Sequence, residues 1–180
     1  MNRPRPARMQ HFAIEVIDSD LRIEWNRRAL GFQVTERHAA FEVEGIPVEL
    51  DFMRLANAHH EIVLVHNAEK TYRMKLLPGA DFDGPPNFHH AAFECGNRDD
   101  WLALLDCVRK ECAEIVRGPV LHSFVKPRGD GSWVEKEAVC ILDPDDHRIE
   151  MFCDLDTVDD DGTQDSASVV RLKGTGTEEL

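Results

Sequence analysis

Three residues in the chain could together hold a metal ion: His11, His90 and Glu150. The two histidines open the same short frame, H-x-A-x-E, which runs His11, Ala13, Glu15 in HFAIE and His90, Ala92, Glu94 in HAAFE. Side chains alternate across a strand. In each frame the His, Ala and Glu therefore share one face, while Phe12, Ile14 and Val16 point the other way. Glu150 lies in HRIEMFC, with Phe152 on its own face and Ile149 and Met151 on the other. A carboxylate among such apolar neighbours is costly to bury unless it is paired or bound to a metal. Two imidazoles and one carboxylate on one side of an ion leave positions open opposite them, an arrangement that suits Fe(II) and also Mn(II). A single strand histidine is more often a hydrogen-bonded core or surface residue. It is the recurrence of the frame that singles out this pair.

The elements that must position these residues follow from periodicity and punctuation. HFAIEV (11–16) alternates as a strand. Asp18 or Ser19 can cap a helix running to about Leu30, with Leu21, Trp25 and Ala29 on its apolar face and Gly31 just past its end. Three strand-like runs follow: FQVTER, VELDFMRL and EIVLVHN. Residues 67–87 read as a connector with some helical potential that breaks at PGADFDGPP. The order then repeats: HHAAFEC as a strand, a helix capped by Asn97 or Asp99 through Leu102, Leu105, Val108 and Cys112, then AEIVRGPV, SWVEKEAVCIL and HRIEMFCDL. Two β-α-β-β-β units with matching frames predict a duplicated α+β module, with module one at about 8–66 and module two at 88–156 of a single domain spanning 8–156. If the two sheets curl face to face, His11 and His90 can meet. From Thr157 to Leu180 the chain turns acidic and rich in Gly, Ser and Thr, and reads as a mobile tail.

Composition narrows the classes. The formal net charge of −13 opposes nucleic acid and anionic membrane as partners. MNRPRPAR is basic but no apolar run follows it, so it does not read as a secretory signal, and no stretch reaches the roughly 20 apolar residues of a membrane span. The cytoplasm is the expected location. The five cysteines (95, 107, 112, 140, 153) include no C-x-x-C pair and read as reduced and mostly buried.

MQHFAIEV, NFHHAAFEC and ILDPDDHRIEMF resemble the module starts and final strand of the glyoxalase/bleomycin-resistance/dioxygenase superfamily, also called vicinal oxygen chelate proteins. Within it the likeness is nearest to type I extradiol catechol dioxygenases, over roughly residues 9–155. LDPDDHRIE is the most specific segment. It is similar to the family's D-P-D-G-x-x-x-E ending, with Asp146 in place of the usual glycine. The resemblance implies paired βαβββ modules forming a cupped sheet around Fe(II), less often Mn(II), held by His11, His90 and Glu150. It implies a reaction of a small aromatic diol with O2, L-DOPA being one candidate, and it allows a homodimer. His60 matches the family's second-sphere acid/base histidine, and His122 matches a histidine that hydrogen-bonds the bound catecholate. Arg117 precedes the Gly118-Pro119 turn that leads to His122 and could meet an anionic substrate group, but a solvated surface arginine is the simpler reading.

Two departures stand out. The family's strand tyrosine before the D-P turn is replaced by Cys140, and Tyr72, the chain's only tyrosine, lies in the connector. Many family members also carry a second pair of modules, and this chain has one. Two other activities therefore stay open. The first is a glyoxalase-like lyase, isomerase or thiol transferase, with a fourth ligand from Glu15, Glu61 or Glu94. The second is a metal-free small-molecule binding protein of the antibiotic-resistance kind.

Overall fold

In each half of the chain the strand that carries the H-x-A-x-E frame is hydrogen-bonded in parallel to the last strand of its own module. The computed structural model describes residues 9–72, 88–123, 129 and 136–153. The chain divides into two units, Met1–Met74 and Lys75–Leu180. In the first, β1 (Phe12–Glu15) leads through α1 (Ser19–Trp25) to β2 (Gln33–His38), β3 (Glu49–Arg54) and β4 (Ile62–His66). In the second, β5 (Ala91–Glu94) leads through α2 (Arg98–Lys110) to β6 (Glu114–His122), β7 (Lys136–Leu142) and β8 (Arg148–Cys153). Strand order is β1-β4-β3-β2 in one sheet and β5-β8-β7-β6 in the other. The expected α+β class and the duplicated βαβββ order are both present.

Alternation sorts β1 as the sequence predicts. Ile14 and Val16 are buried with Ile62, Leu64 and Met53, while Ala13 and Glu15 are exposed. Asp18 caps α1 by accepting from the Leu21 amide at 2.9 Å. Of the expected apolar face of this helix, Trp25 and Ala29 are buried and Leu21 is corrected. Leu21 is 69% exposed, and the buried stripe runs through Arg22, Ile23, Trp25 and Asn26 to Ala29 and Leu30. Two polar residues in the stripe are linked to each other and to apolar neighbours: Arg22 Nε donates to Asn26 Oδ1 at 3.2 Å, Asn26 Nδ2 meets the Met53 sulfur at 3.5 Å, and the guanidinium lies 5.1 Å from the Trp25 ring. A π turn at Asn26–Leu30 closes the helix, and its extra residue per turn keeps Ala29 and Leu30 both inward. Gly31 then takes the left-handed conformation, φ 78°.

In the second unit Asn97 is the cap of α2, and Trp101, Leu105 and Val108 form its buried face. Trp101 Nε1 donates to the Met151 carbonyl at 3.0 Å, tying α2 to β8. Cys112, expected within the helix, lies beyond its end at φ 56° and is exposed. The cysteines are free, as expected, but only Cys140 and Cys153 are buried; Cys95 and Cys107 are half-buried. The later part of the connector (73–87), the region 124–135 apart from Gly129, and the acidic tail (157–180) lie outside the described residues. Among the described residues no helix is long and apolar enough to cross a membrane.

Candidate functional site

His11 stands immediately before β1, and His60 stands two residues before β4. The parallel register pairs Phe12 with Ile62, so the two histidines enter the sheet side by side. Their ring centroids are 4.5 Å apart at 57°. Phe52, on the neighbouring strand, supports the His60 ring edge-on at 4.9 Å. Gln10 holds the pair together: its amide nitrogen donates to the His60 carbonyl, and its oxygen meets His11 Nδ1. When His11 Nδ1–H donates to that oxygen, Nε2 carries the lone pair, the form in which imidazole binds a metal. Partial burial, together with the nearby rings of His11 and His59, lowers the pKa of His60 below the ordinary histidine value. A neutral His60 can accept a proton.

The second unit brings together the other two predicted ligands. Glu150 on β8 is 7% exposed. Its Oε2 is 3.3 Å from His90 Nε2, and its Oε1 is 2.8 Å from Lys136 Nζ. Register explains the meeting, because β5 runs parallel to β8 with Ala92 opposite Glu150, which sets His90 at the same strand end. Two ligands of one ion with bonds of about 2.0–2.2 Å lie about 3–3.5 Å apart. The His90–Glu150 separation matches that span. His89 Nδ1 contacts His90 Nδ1 at 2.6 Å. Burial and the charge of Arg148 lower the pKa of His89. In the tautomer in which His90 Nδ1–H donates to His89, His90 Nε2 carries the lone pair that a metal would need.

His122 ends β6 directly opposite Lys136 of β7, and Cys140 of β7 lies opposite Glu150. Arg148 donates to the Cys140 sulfur at 3.4 Å. Arg117 is exposed. Two contacts of the predicted ligands, Gln10 and Lys136, were not among the sequence candidates. Gln10 adjoins the H-x-A-x-E frame and could have been noticed there. Lys136 had no local signal, because only the antiparallel pairing of β7 with β8 brings it to Glu150.

Among the described residues one further group has metal-ligand character: Asp143, Asp145 and His147, whose ligand atoms lie within 4.8 Å of one another. Asp143 is committed elsewhere. One oxygen accepts from the Asp145 and His147 amides at 2.9 Å each, and the other lies 3.0 Å from His147 Nδ1. It builds the turn between β7 and β8. Asp146 completes that turn at φ 64°, where glycine is usual. Of the carboxylates that could add a fourth ligand, Glu15 is paired with Lys70 and Glu61 accepts from the Leu55 amide at 2.8 Å. Glu94 is exposed.

A sequence model described as the Glyoxalase/Bleomycin resistance protein/Dioxygenase superfamily matches residues 8–151. Similar solved structures include a glyoxylase/bleomycin resistance protein/dioxygenase domain from Frankia sp. EAN1pec, at 15% identity and TM-score 0.61, with 83% of this chain and 98% of that one covered. A mutant of glyoxalase I from Zea mays aligns at 18% identity and TM-score 0.55, over 81% of this chain. This chain spans only 44% of the maize one. The fosfomycin resistance protein FosX from Listeria monocytogenes, complexed with Mn(II) and a sulfate ion, aligns at 13% identity and TM-score 0.52, over 83% and 94% of the two chains. At these identities the likeness is one of fold. No curated protein sequence matches.

Proposed function

Because the chain belongs to the glyoxalase/bleomycin resistance protein/dioxygenase superfamily, we propose that it is a metal-dependent enzyme that opens the ring of a catechol with O2, beside rather than between the hydroxyls. His11, His90 and Glu150 are the proposed ligands of Fe(II), with Mn(II) as the other fitting ion. The observation that carries the metal is the 3.3 Å approach of His90 Nε2 to the buried Glu150 carboxylate. Imidazole nitrogen and carboxylate oxygen suit both ions, and Mn(II) is the ion bound to the fosfomycin resistance relative.

When bound, the ion supplies positive charge that makes a coordinated catechol hydroxyl more acidic. The chain's own residues do the rest. Gln10 fixes the His11 ring and the start of β4. His60, held neutral beside His11, takes the proton that the catechol loses. His122 donates a hydrogen bond to negative charge that develops on the ring. Cys140 offers the substrate a thiol, a weaker donor than a tyrosine hydroxyl.

The loss of a hydroxyl donor at Cys140 is the specific observation favouring a second reading, a glyoxalase-like lyase, isomerase or thiol transferase on the same residues. The commitments of Glu15 and Glu61 to other partners count against a fourth ligand for it. One experiment separates the two: anaerobic loading with Fe(II), then a catechol panel including L-DOPA and protocatechuate, with O2 uptake and visible absorbance recorded together. Uptake with a new yellow band is expected. His60→Ala should lose it while keeping about one metal per chain, and Glu150→Ala should lose metal and uptake alike. A metal-loaded protein that consumes no O2 with any catechol would overturn the dioxygenase assignment in favour of the second. A protein that binds no metal would overturn both.

A further inference from the structure

Three buried polar atoms of the first unit, Ser19 Oγ, His38 Nδ1 and Asp51 Oδ2, have no hydrogen-bond partner among the described residues. All three residues line one cavity of about 530 Å³. It lies where β1, β2 and β4 end and β3 begins, at the opposite end of the sheet from His11 and His60. Ser19 is 5% exposed and Asp51 2%. The other Asp51 oxygen accepts from Arg37 Nε at 2.6 Å, and Arg37 also pairs with Asp20 at 2.8 Å. A buried carboxylate oxygen left without a donor is costly and rare in folded proteins. A ligand that donates hydrogen bonds would answer it.

Charge narrows the ligand. Five carboxylates line the cavity, those of Asp18, Asp20, Glu42, Glu49 and Asp51, against the single guanidinium of Arg37. Asp18 is engaged in capping α1, and Glu42 lies 3.5 Å from His38. The excess is negative, so the ligand is a cation. Its size follows from spacing. Among the described residues, three ligating atoms within 4.8 Å of one another occur only at the Asp143 turn, so the acids of the cavity are too dispersed to share one bare ion. Its volume falls in the range of about 300–1,000 Å³ typical of small-molecule sites. We propose that this cavity binds an extended organic cation bearing two or more ammonium groups, a diamine or polyamine. One ammonium donates to Asp51 Oδ2 and Ser19 Oγ, and a second reaches Glu49. Each ammonium has three donors, enough for these acceptors together.

Calorimetric titration of the full chain with spermidine at physiological salt tests this. One saturable site is expected, weakened about tenfold by Glu49→Gln and more by Asp51→Asn, because each removes a charge facing the ligand. Asp99→Asn, which removes one charge from α2 in the other unit, should leave binding unchanged. Circular dichroism checks that Asp51→Asn still folds, and Glu49→Gln carries the test if it does not. Absence of saturable binding would overturn the site. So would equal weakening by Asp99→Asn, since binding would then follow the net charge alone. Tighter binding of Mg(II) than of spermidine, lost in the same variants, would overturn the organic cation in favour of a metal.

Discussion

Glu150 is served on two sides by different chemistry. Its Oε2 faces His90, and its Oε1 is held by the ammonium of Lys136, which also lies 4.7 Å from the Phe152 ring. Lys136 can therefore balance the buried carboxylate without occupying the oxygen that faces His90. Removing one partner of a largely buried ion pair leaves a charge uncompensated, at a cost of about 3 kcal/mol where burial is complete. Lys136 is 16% exposed, so Lys136→Met should cost about 2 kcal/mol in the presence of EDTA. A divalent ion on Glu150 would replace the missing positive charge, so saturating Mn(II) should recover most of that loss in urea denaturation. A loss that stays the same with and without metal would remove Glu150 from the ligand set. At this scale the sequence was informative wherever a single strand decides the outcome. The alternation of β1 and β8 placed Ala13, Glu15 and Glu150 on the faces they occupy. It was blind to Lys136, because a contact between strands depends on a register that no local pattern encodes, whereas Gln10 adjoins the frame and was within its reach.

The elements were legible in order and type, since each begins or ends on a residue with a physical reason to be there: Asp18, Gly31 and Asn97 as caps, and Asp143 at the final turn. On the face of α1, Trp25 and Ala29 were read correctly and Leu21 was not. A stripe carrying Arg22 and Asn26 looks solvated until their mutual hydrogen bond is known, and the π turn shifts the periodicity behind it. Strand β6 carries a comparable irregularity. Its register with β7 shifts on either side of Arg117, and Gly118 takes φ 84° there. A side chain at Gly118 would place Cβ 2.7 Å from the Ala138 carbonyl oxygen and 3.0 Å from the Val120 nitrogen, both backbone atoms that cannot move aside. Gly45 has a similar φ of 81° with nothing within 4 Å. Gly45→Ala should therefore cost only the left-handed conformation, about 1 kcal/mol. Gly118→Ala adds the clash and should cost about 3 kcal/mol. Urea denaturation of the two variants side by side measures the difference. Equal costs would mean that β6 relaxes around the new methyl group, and that its bulge does not fix where His122 stands.

Across the whole chain, duplication is the feature that links sequence to function. The two H-x-A-x-E frames were visible as letters, and they recur as parallel edge strands in sheets of identical order. The proposed ligand set is not symmetric, however. One predicted ligand, His11, comes from the first unit, and two, His90 and Glu150, come from the second. Thermodynamic coupling tests whether the three serve one ion. Ligands of a single ion act as one group, so losing any of them forfeits nearly the whole metal-binding free energy and losing a second adds little. A ligand at a hundred times its Kd stabilises the folded state by about 2.7 kcal/mol. His11→Ala and Glu150→Ala should each abolish that increment in thermal unfolding with Mn(II) and lower bound metal from about one per chain to near zero. The double variant should be no worse than either alone. If each substitution instead removes only part of the metal and the effects add, the two units bind ions independently. The shared triad would then fail, and with it the open coordination positions that the proposed ring-opening chemistry requires.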